Sequence, residues 1–236
     1  MLFQSPMFLL FFLVFLAGMA VTQGRWRTIY ICLASYVFYG WWHPPYLVVL
    51  FGLTIFTYVF TRFPPRSSLA IAGCIFLGLL PLFTFKYTGF LFQTFAHMFE
   101  TTPLFTPDWA LPLGISFVTF TSIAMVIDVR RGDYSGDRSF WNVALFISFF
   151  PQLIAGPILR ARELMPQLNA IRFQPSVIKT ALLLFVLGAA KKVGVADQIA
   201  PVTDRIFSGD GSVSQAEFVI ALYGFAVQIY CDFSGY

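Results

Sequence analysis

Residues 141–160, WNVALFISFFPQLIAGPILR, begin as an apolar run able to cross a bilayer, then place Gln152 between Pro151 and Pro157 with Gly156 beside the second proline. A proline has no amide hydrogen to give a helix interior, so the run cannot continue as one regular rod. Broken backbone at membrane depth frees carbonyl and amide groups that lipid cannot satisfy. It persists only where other helices wrap it or where it lines a watery cavity. The rest of the chain is therefore expected to form walls around an interior site.

Composition supplies such walls. Of the 236 residues, 58% are hydrophobic, 19% aromatic and only 11% charged, with thirty phenylalanines. That balance excludes a water-soluble domain and predicts an all-α, polytopic integral membrane protein. The length accommodates roughly seven to eight transmembrane or re-entrant helices around a polar chamber, at about 20 residues each, as a single membrane domain over residues 1–236. The net charge of +4 comes from basic residues in short connectors between apolar runs. Orientation in the membrane explains them, and a nucleic-acid partner is not expected. Cys32, Cys74 and Cys231 lie inside apolar segments without a CxxC pair, which favours small buried hydrophobes over redox or metal chemistry.

Taken in order, Pro6 to Val21 is apolar, with Arg25 and Arg27 after the run rather than before it. A secretory signal peptide has the reverse order, although Gly18 and Ala20 resemble a cleavage site. Thr28 to Trp42 forms a second crossing ending in the interfacial YGWWHPP turn, and Tyr46 to Phe60 returns to Arg62 and Arg66. Leu69 to Phe85 goes out again. Between Lys86 and Leu111 hydrophobicity falls, Glu100 and Asp108 add negative charge, and FLFQTFAHMF predicts a short half-buried or interfacial helix. Leu113 to Val129 follows Pro112. Its Ser116, Thr119 and Ser122 suit either close helix packing or a polar lining, and Asp128 and Arg131 are placed to pair.

A plain crossing at 141–157 would put Arg160, Arg162, Arg172 and Lys179 on the external side, against the positive-inside tendency. Either the broken stretch turns back to the cytoplasm or Lys191 and Lys192 are the exception, and a re-entrant loop at Pro151 to Pro157 is preferred because the breakers are already there. Leu164, Leu168 and Ile171 at helical spacing predict a short helix in the headgroup plane. After the apolar run Ile178 to Ala190 and a connector containing Gly209 and Gly211, Ser214 and Glu217 form an S-x-x-E capping box. The helix it starts carries Gly224, Gln228 and Asp232 on one face. At about 1.5 Å per residue, Gln228 lies about 21 Å and Asp232 about 27 Å from the cap.

Polar groups inside a membrane usually face a bundle interior or a cavity. Gln152, Gln228 and Asp232, then Tyr230 and Ser234, are the candidates for lining the chamber. Asp232 has two alternatives, a structural pair with a cation or exposure at the boundary. Arg160, Lys191 and Lys192 could meet a phosphate-bearing donor at the cytoplasmic face, or serve as topology signals and headgroup contacts. His43 sits in the tryptophan turn and His97 near the surface, neither with partners at metal-ligand spacing, so no metal site is expected.

Four segments, FYGWWHPPYL (38–47), PLGISFVTFTSIAMVIDVRRG (112–132), FFPQLIAGPILR (149–160) and QIYCDFSGY (228–236), together with GAAKKVGVAD (188–197), resemble the membrane-bound O-acyltransferase family in its bacterial alginate O-acetyltransferase branch. The resemblance covers almost the whole chain. It implies a helical ring around a chamber in the bacterial inner membrane. There an acyl group from a cytoplasmic thioester, usually acetyl-CoA, reaches hydroxyls of a cell-surface polysaccharide, with no tightly bound cofactor. It also implies a possible extracytoplasmic acetyltransferase partner. The competing readings are a polysaccharide or lipid transporter or scaffold without chemistry, and an inactive truncated reading frame.

The family's catalytic histidine lies after the QIYCDFSGY motif, beyond Tyr236, and neither His43 nor His97 takes its place. Acyl transfer needs a base for the acceptor's proton. The 236 residues by themselves are expected to be inactive. Turnover of acetyl-CoA with an acceptor sugar by this purified segment would overturn that expectation.

Overall fold

A computed structural model describes residues 5–99, 101–102, 105, 109–155, 159–169, 171, 175–209 and 213–235. Glu100, Asp108, Gly156, Pro157, Arg172 and Gly211 lie outside the described residues. The described chain is helical and divides into two compact units, Met1–Ile171 and Arg172–Tyr236.

In the first unit, α1 (Pro6–Val21) and α2 (Gly24–Trp42) are followed by a 3₁₀ turn at Pro44–Tyr46 and α3 (Leu47–Arg62). Ser5 accepts the Phe8 N–H and caps α1, whose Pro6 sits where a missing amide costs nothing. Ser67 caps α4 (Ser68–Leu82) in the same way.

From Ser68 to Met98 the helix is continuous over 31 residues, through a π-turn at Phe83–Tyr87 into α5 (Thr88–Met98). The expected separate interfacial helix is therefore the end of one rod of about 46 Å. Pro81 lies inside that rod without an amide hydrogen, and the π-turn begins two residues beyond it. Such a bulge absorbs a local break and lets the helix resume.

The interior helix is α6 (Ile115–Arg131), against which α3 and α4 pack. Thr119 and Ser122 are buried there, as are Thr54, Thr57 and Thr61 on α3. Each of those α3 hydroxyls donates to the carbonyl four residues back, so small polar side chains fill the contact with their hydrogen bonds satisfied. On α6, Ser122 Oγ likewise donates to the Val118 carbonyl, whereas Thr119 Oγ1 is buried without a hydrogen-bond partner among the described residues. After the 132–139 loop, α7 (Phe140–Ser148) wedges between α2 and α3, and α8 (Phe150–Ala155) and α9 (Ala161–Asn169) complete the unit.

The second unit holds α10 (Pro175–Lys191), a π-turn at Lys192–Ala196, α11 (Asp197–Phe207) and α12 (Gln215–Gly235). The capping box forms as expected. The Ser214 amide donates to Glu217 Oε2 at 2.8 Å, and the Glu217 amide donates to Ser214 Oγ at 3.3 Å. Among the described residues, three helical stretches, Pro44–Arg62, Ser68–Met98 and Gln215–Gly235, are long and apolar enough to cross a membrane, and Pro6–Val21 is a shorter apolar helix.

Glycines bound α6 at both ends with positive φ, Gly114 at 62° and Gly132 at 80°. Gly132 closes the helix with the Asp133 amide on the Asp128 carbonyl and its own amide on Val129, a Schellman cap. Gly114 has a further constraint, because a Cβ there would stand 2.1 Å from the Leu153 carbonyl oxygen, whereas at Gly132 it would meet nothing. Gly132→Ala should therefore cost about 1 kcal/mol of conformational strain and Gly114→Ala about 2–4 kcal/mol. Melting temperatures in a neutral detergent test the difference, and equal losses at the two positions would contradict it.

Candidate functional site

The break in residues 141–160 falls at Phe149, between α7 and α8, one step earlier than the prolines suggested. Pro151 is the second residue of α8, a position that needs no amide donor. The freed Phe150 N–H goes to Ser35 Oγ of α2 at 3.3 Å, and Phe149 O accepts from the Gln152 N–H at 3.0 Å. Ser148 lies beside Cys32, also on α2. Wrapping by a neighbouring helix thus keeps the broken backbone satisfied.

Phe150 anchors the break. Its ring lies 5.2–6.4 Å from those of Phe8, Phe11, Phe15 and Phe38, with edge-on contacts to Phe11 and Phe15. The half-buried Gln152 helps line a void of about 10 Å³ with Phe117, Val118, Thr121, Phe146, Ile147 and Leu153. That is room for about one water molecule.

Both ends of the broken segment lie at one end of the unit. Arg27, in the first turn of α2, donates through Nε to the Thr22 carbonyl and through Nη1 to the Ile171 carbonyl just beyond α9. Arg138, just before α7, donates to the Thr61 carbonyl at the end of α3, and Arg130 donates to Pro65. Arg160, just before α9, forms an ion pair of 2.5 Å with Asp128 in the last turn of α6. The chain therefore enters at Phe140 and is back at the same arginine-rich end by Arg160. A turn-back in place of a crossing keeps Arg160 and Arg162 with Arg25, Arg27, Arg62 and Arg66, on the side that positive-inside makes cytoplasmic.

The Asp128–Arg160 pair replaces the expected Asp128–Arg131 pair. The Asp128 side chain is only 3% exposed, against 46% for Arg160, and its Oδ2 is buried without a hydrogen-bond partner among the described residues. A carboxylate near a helix C-terminus faces the negative end of the dipole, so a cation from another segment is a favourable partner for it. Arg160 supplies that charge, and its exposed remainder faces outward.

In the second unit, Lys192 bridges two carboxylates, Asp197 at 2.8 Å and Asp232 at 2.6 Å. Residues five apart on an α-helix stand about 140° apart around its axis. The π-turn, closed by the Asp197 amide on the Lys192 carbonyl, brings this pair together. Gln228 Oε1 accepts from Thr203 Oγ1 at 2.7 Å. The Gly224, Gln228 and Asp232 face of α12 thus packs on α11 and the π-turn. Tyr230 and Ser234 are exposed on the unit, with Lys191 Nζ 5.9 Å from the centre of the Tyr230 ring. Gly188 and Gly235 permit the close crossing of α10 and α12, since a Cβ on Gly188 would stand 2.4 Å from Gly235 O.

Sequence reasoning allowed Asp232 a cation partner but did not identify Lys192, and it missed Lys192–Asp197 because α-helical spacing separates those two. It missed Asp128–Arg160 because the two lie 32 positions apart. His43 makes tilted ring contacts with Trp42 and Tyr46 in the turn after α2, and His97 is exposed in the last turn of α5, so neither joins these polar groups. All three cysteines are buried and free.

Apolar spanning helices enclosing a broken, internally satisfied segment define an integral membrane protein built around an interior hairpin. Along its full length the chain is 35% identical over 250 residues to the probable alginate O-acetylase AlgI of Pseudomonas aeruginosa and 34% identical over 248 residues to that of Azotobacter vinelandii. It is 32% identical over 280 residues to the peptidoglycan O-acetyltransferase of Helicobacter pylori. These alignments take in 100% of this chain and 47%, 49% and 52% of the relatives, so the chain spans about half the length of the curated relatives it matches. The whole of this chain is thus similar to about half of two alginate O-acetylases and of a peptidoglycan O-acetyltransferase. No family model and no solved structure matches it.

The ion pair at the arginine-rich end gives a measurable coupling. Asp128→Asn and Arg160→Gln should each lower the melting temperature in detergent, while the double variant loses less than the sum, by about 1–3 kcal/mol. Strictly additive losses would show that the pair contributes nothing.

Proposed function

We propose that the protein carrying these residues moves an acetyl group from a cytoplasmic thioester, acetyl-CoA, to hydroxyls of a cell-envelope polysaccharide at the bacterial inner membrane. The observation that carries this reading is the similarity of the whole of this chain to 47% of an alginate O-acetylase. In the reaction the acceptor hydroxyl oxygen attacks the thioester carbonyl. The C–S bond breaks, the acetyl group passes to oxygen, and the thiol leaves with the hydroxyl's proton.

Within this proposal, each unit brings its own polar residues toward the acceptor, Gln152 on the hairpin of the first and Gln228, Tyr230, Asp232 and Ser234 on the last helix of the second. Arg160 in the first unit and Lys191 and Lys192 in the second supply positive charge toward the donor's phosphates. The ion pairs that Arg160 and Lys192 make within their own units favour a positioning role for those two. Lys191, without a carboxylate partner among the described residues, is the more available cation. An extracytoplasmic acetyltransferase that completes the transfer belongs to the same proposal, as does alginate or a similar polymer as acceptor.

Disrupting the gene should remove ester-linked acetate from the envelope polysaccharide, measured as acetate released by mild alkali per sugar residue. Unchanged acetate content would sink the proposal. Less polymer at the surface with normal acetate per sugar would instead indicate transport without chemistry.

A further inference from the structure

At the arginine-rich end of the first unit, a polar cavity of about 520 Å³ opens between the start of α2 and the start of α7, lined by Arg25, Arg27, Thr28, Ser139, Trp141 and Asn142 among others. It is independent of the acyltransfer proposal, whose candidate residues line none of it.

Arg27 is held in place by the Thr22 and Ile171 carbonyls, which use two of the five guanidinium N–H donors. The remainder stay available on a side chain already fixed in position. Arg25 is exposed and makes no hydrogen bond or ion pair among the described residues. Gly24 begins the 19-residue α2, whose N-cap residue Gln23 provides no side-chain cap, so first-turn amides are left for another acceptor. The one acid in the wall, Asp137, is already engaged. Its Oδ1 accepts the Ser139 amide at 2.9 Å, and its Oδ2 accepts Ser139 Oγ at 3.0 Å and Asn142 Nδ2 at 2.8 Å. Two arginines, the Thr28 hydroxyl and helix amides at a space of this size make a receptor for a group with several anionic oxygens.

We infer that this cavity binds a phosphate group. Two sources present that chemistry, the headgroup of an anionic phospholipid and a soluble phosphate. The setting favours the headgroup, because exposed apolar Val21 and Trp26 flank the arginines in sequence and Trp141 forms part of the wall.

The test titrates the protein in neutral detergent with short-chain phosphatidylglycerol, with phosphatidylcholine, and with inorganic phosphate, following the melting temperature. Phosphatidylglycerol should raise it and phosphatidylcholine should not. Arg25→Glu should melt normally without additive and bind phosphatidylglycerol about tenfold more weakly or worse, the loss of a charge-assisted contact. Arg66→Glu, at the same end but outside the cavity, should bind as before. A matching rise with inorganic phosphate, also weakened by Arg25→Glu, supports the site and makes its ligand soluble. The inference falls if neither probe stabilises the protein, if Arg25→Glu binds like the parent, or if Arg66→Glu weakens binding equally.

Discussion

The first unit depends on one hydrogen bond at membrane depth, from the Phe150 amide to the Ser35 hydroxyl. Counting from Arg27, Ser35 lies about 12 Å along α2, and a backbone amide left bare at that depth costs several kcal/mol. Because α2 supplies the acceptor, α7 can stop at Phe149 and the chain can turn. The phenylalanines of α1 and α2 then close around Phe150 and shield the turn from lipid.

That turn decides where the charges go. With α7 ending midway, Arg160 comes back to meet Asp128, and α9 buries Leu164, Met165 and Leu168 against the same end of the bundle. Arg160 and Arg162 then fall on the side of Arg25, Arg27, Arg62 and Arg66. The hairpin, the ion pair and the arginine-rich end are three consequences of a single satisfied break.

The second unit uses another device for the same problem. Its polar side chains neutralise each other, Lys192 between two aspartates and Gln228 with Thr203, and glycines let the helices come close enough for them to do so. In both units an irregular turn, at Phe149 or at Lys192–Ala196, sets the polar chemistry apart from the apolar surface around it. The similarity to an alginate O-acetylase runs over the whole of this chain, both units included.

Hydrophobic runs, helix caps and proline positions were legible in the sequence because they act over a few residues. The apolar helices, the Ser214–Glu217 box and the interruption of residues 141–160 follow from local backbone chemistry alone. The polar residues worth attention were legible for the same reason, since a glutamine or aspartate in an apolar run has a local cost. Their partners were not. Asp128 chose Arg160 over Arg131, the Ser68–Met98 rod ran on past Pro81, and Lys192 reached Asp197 through a π-turn. Each outcome was decided by what a distant segment or a shifted helical register brought within reach, which only the tertiary structure determines.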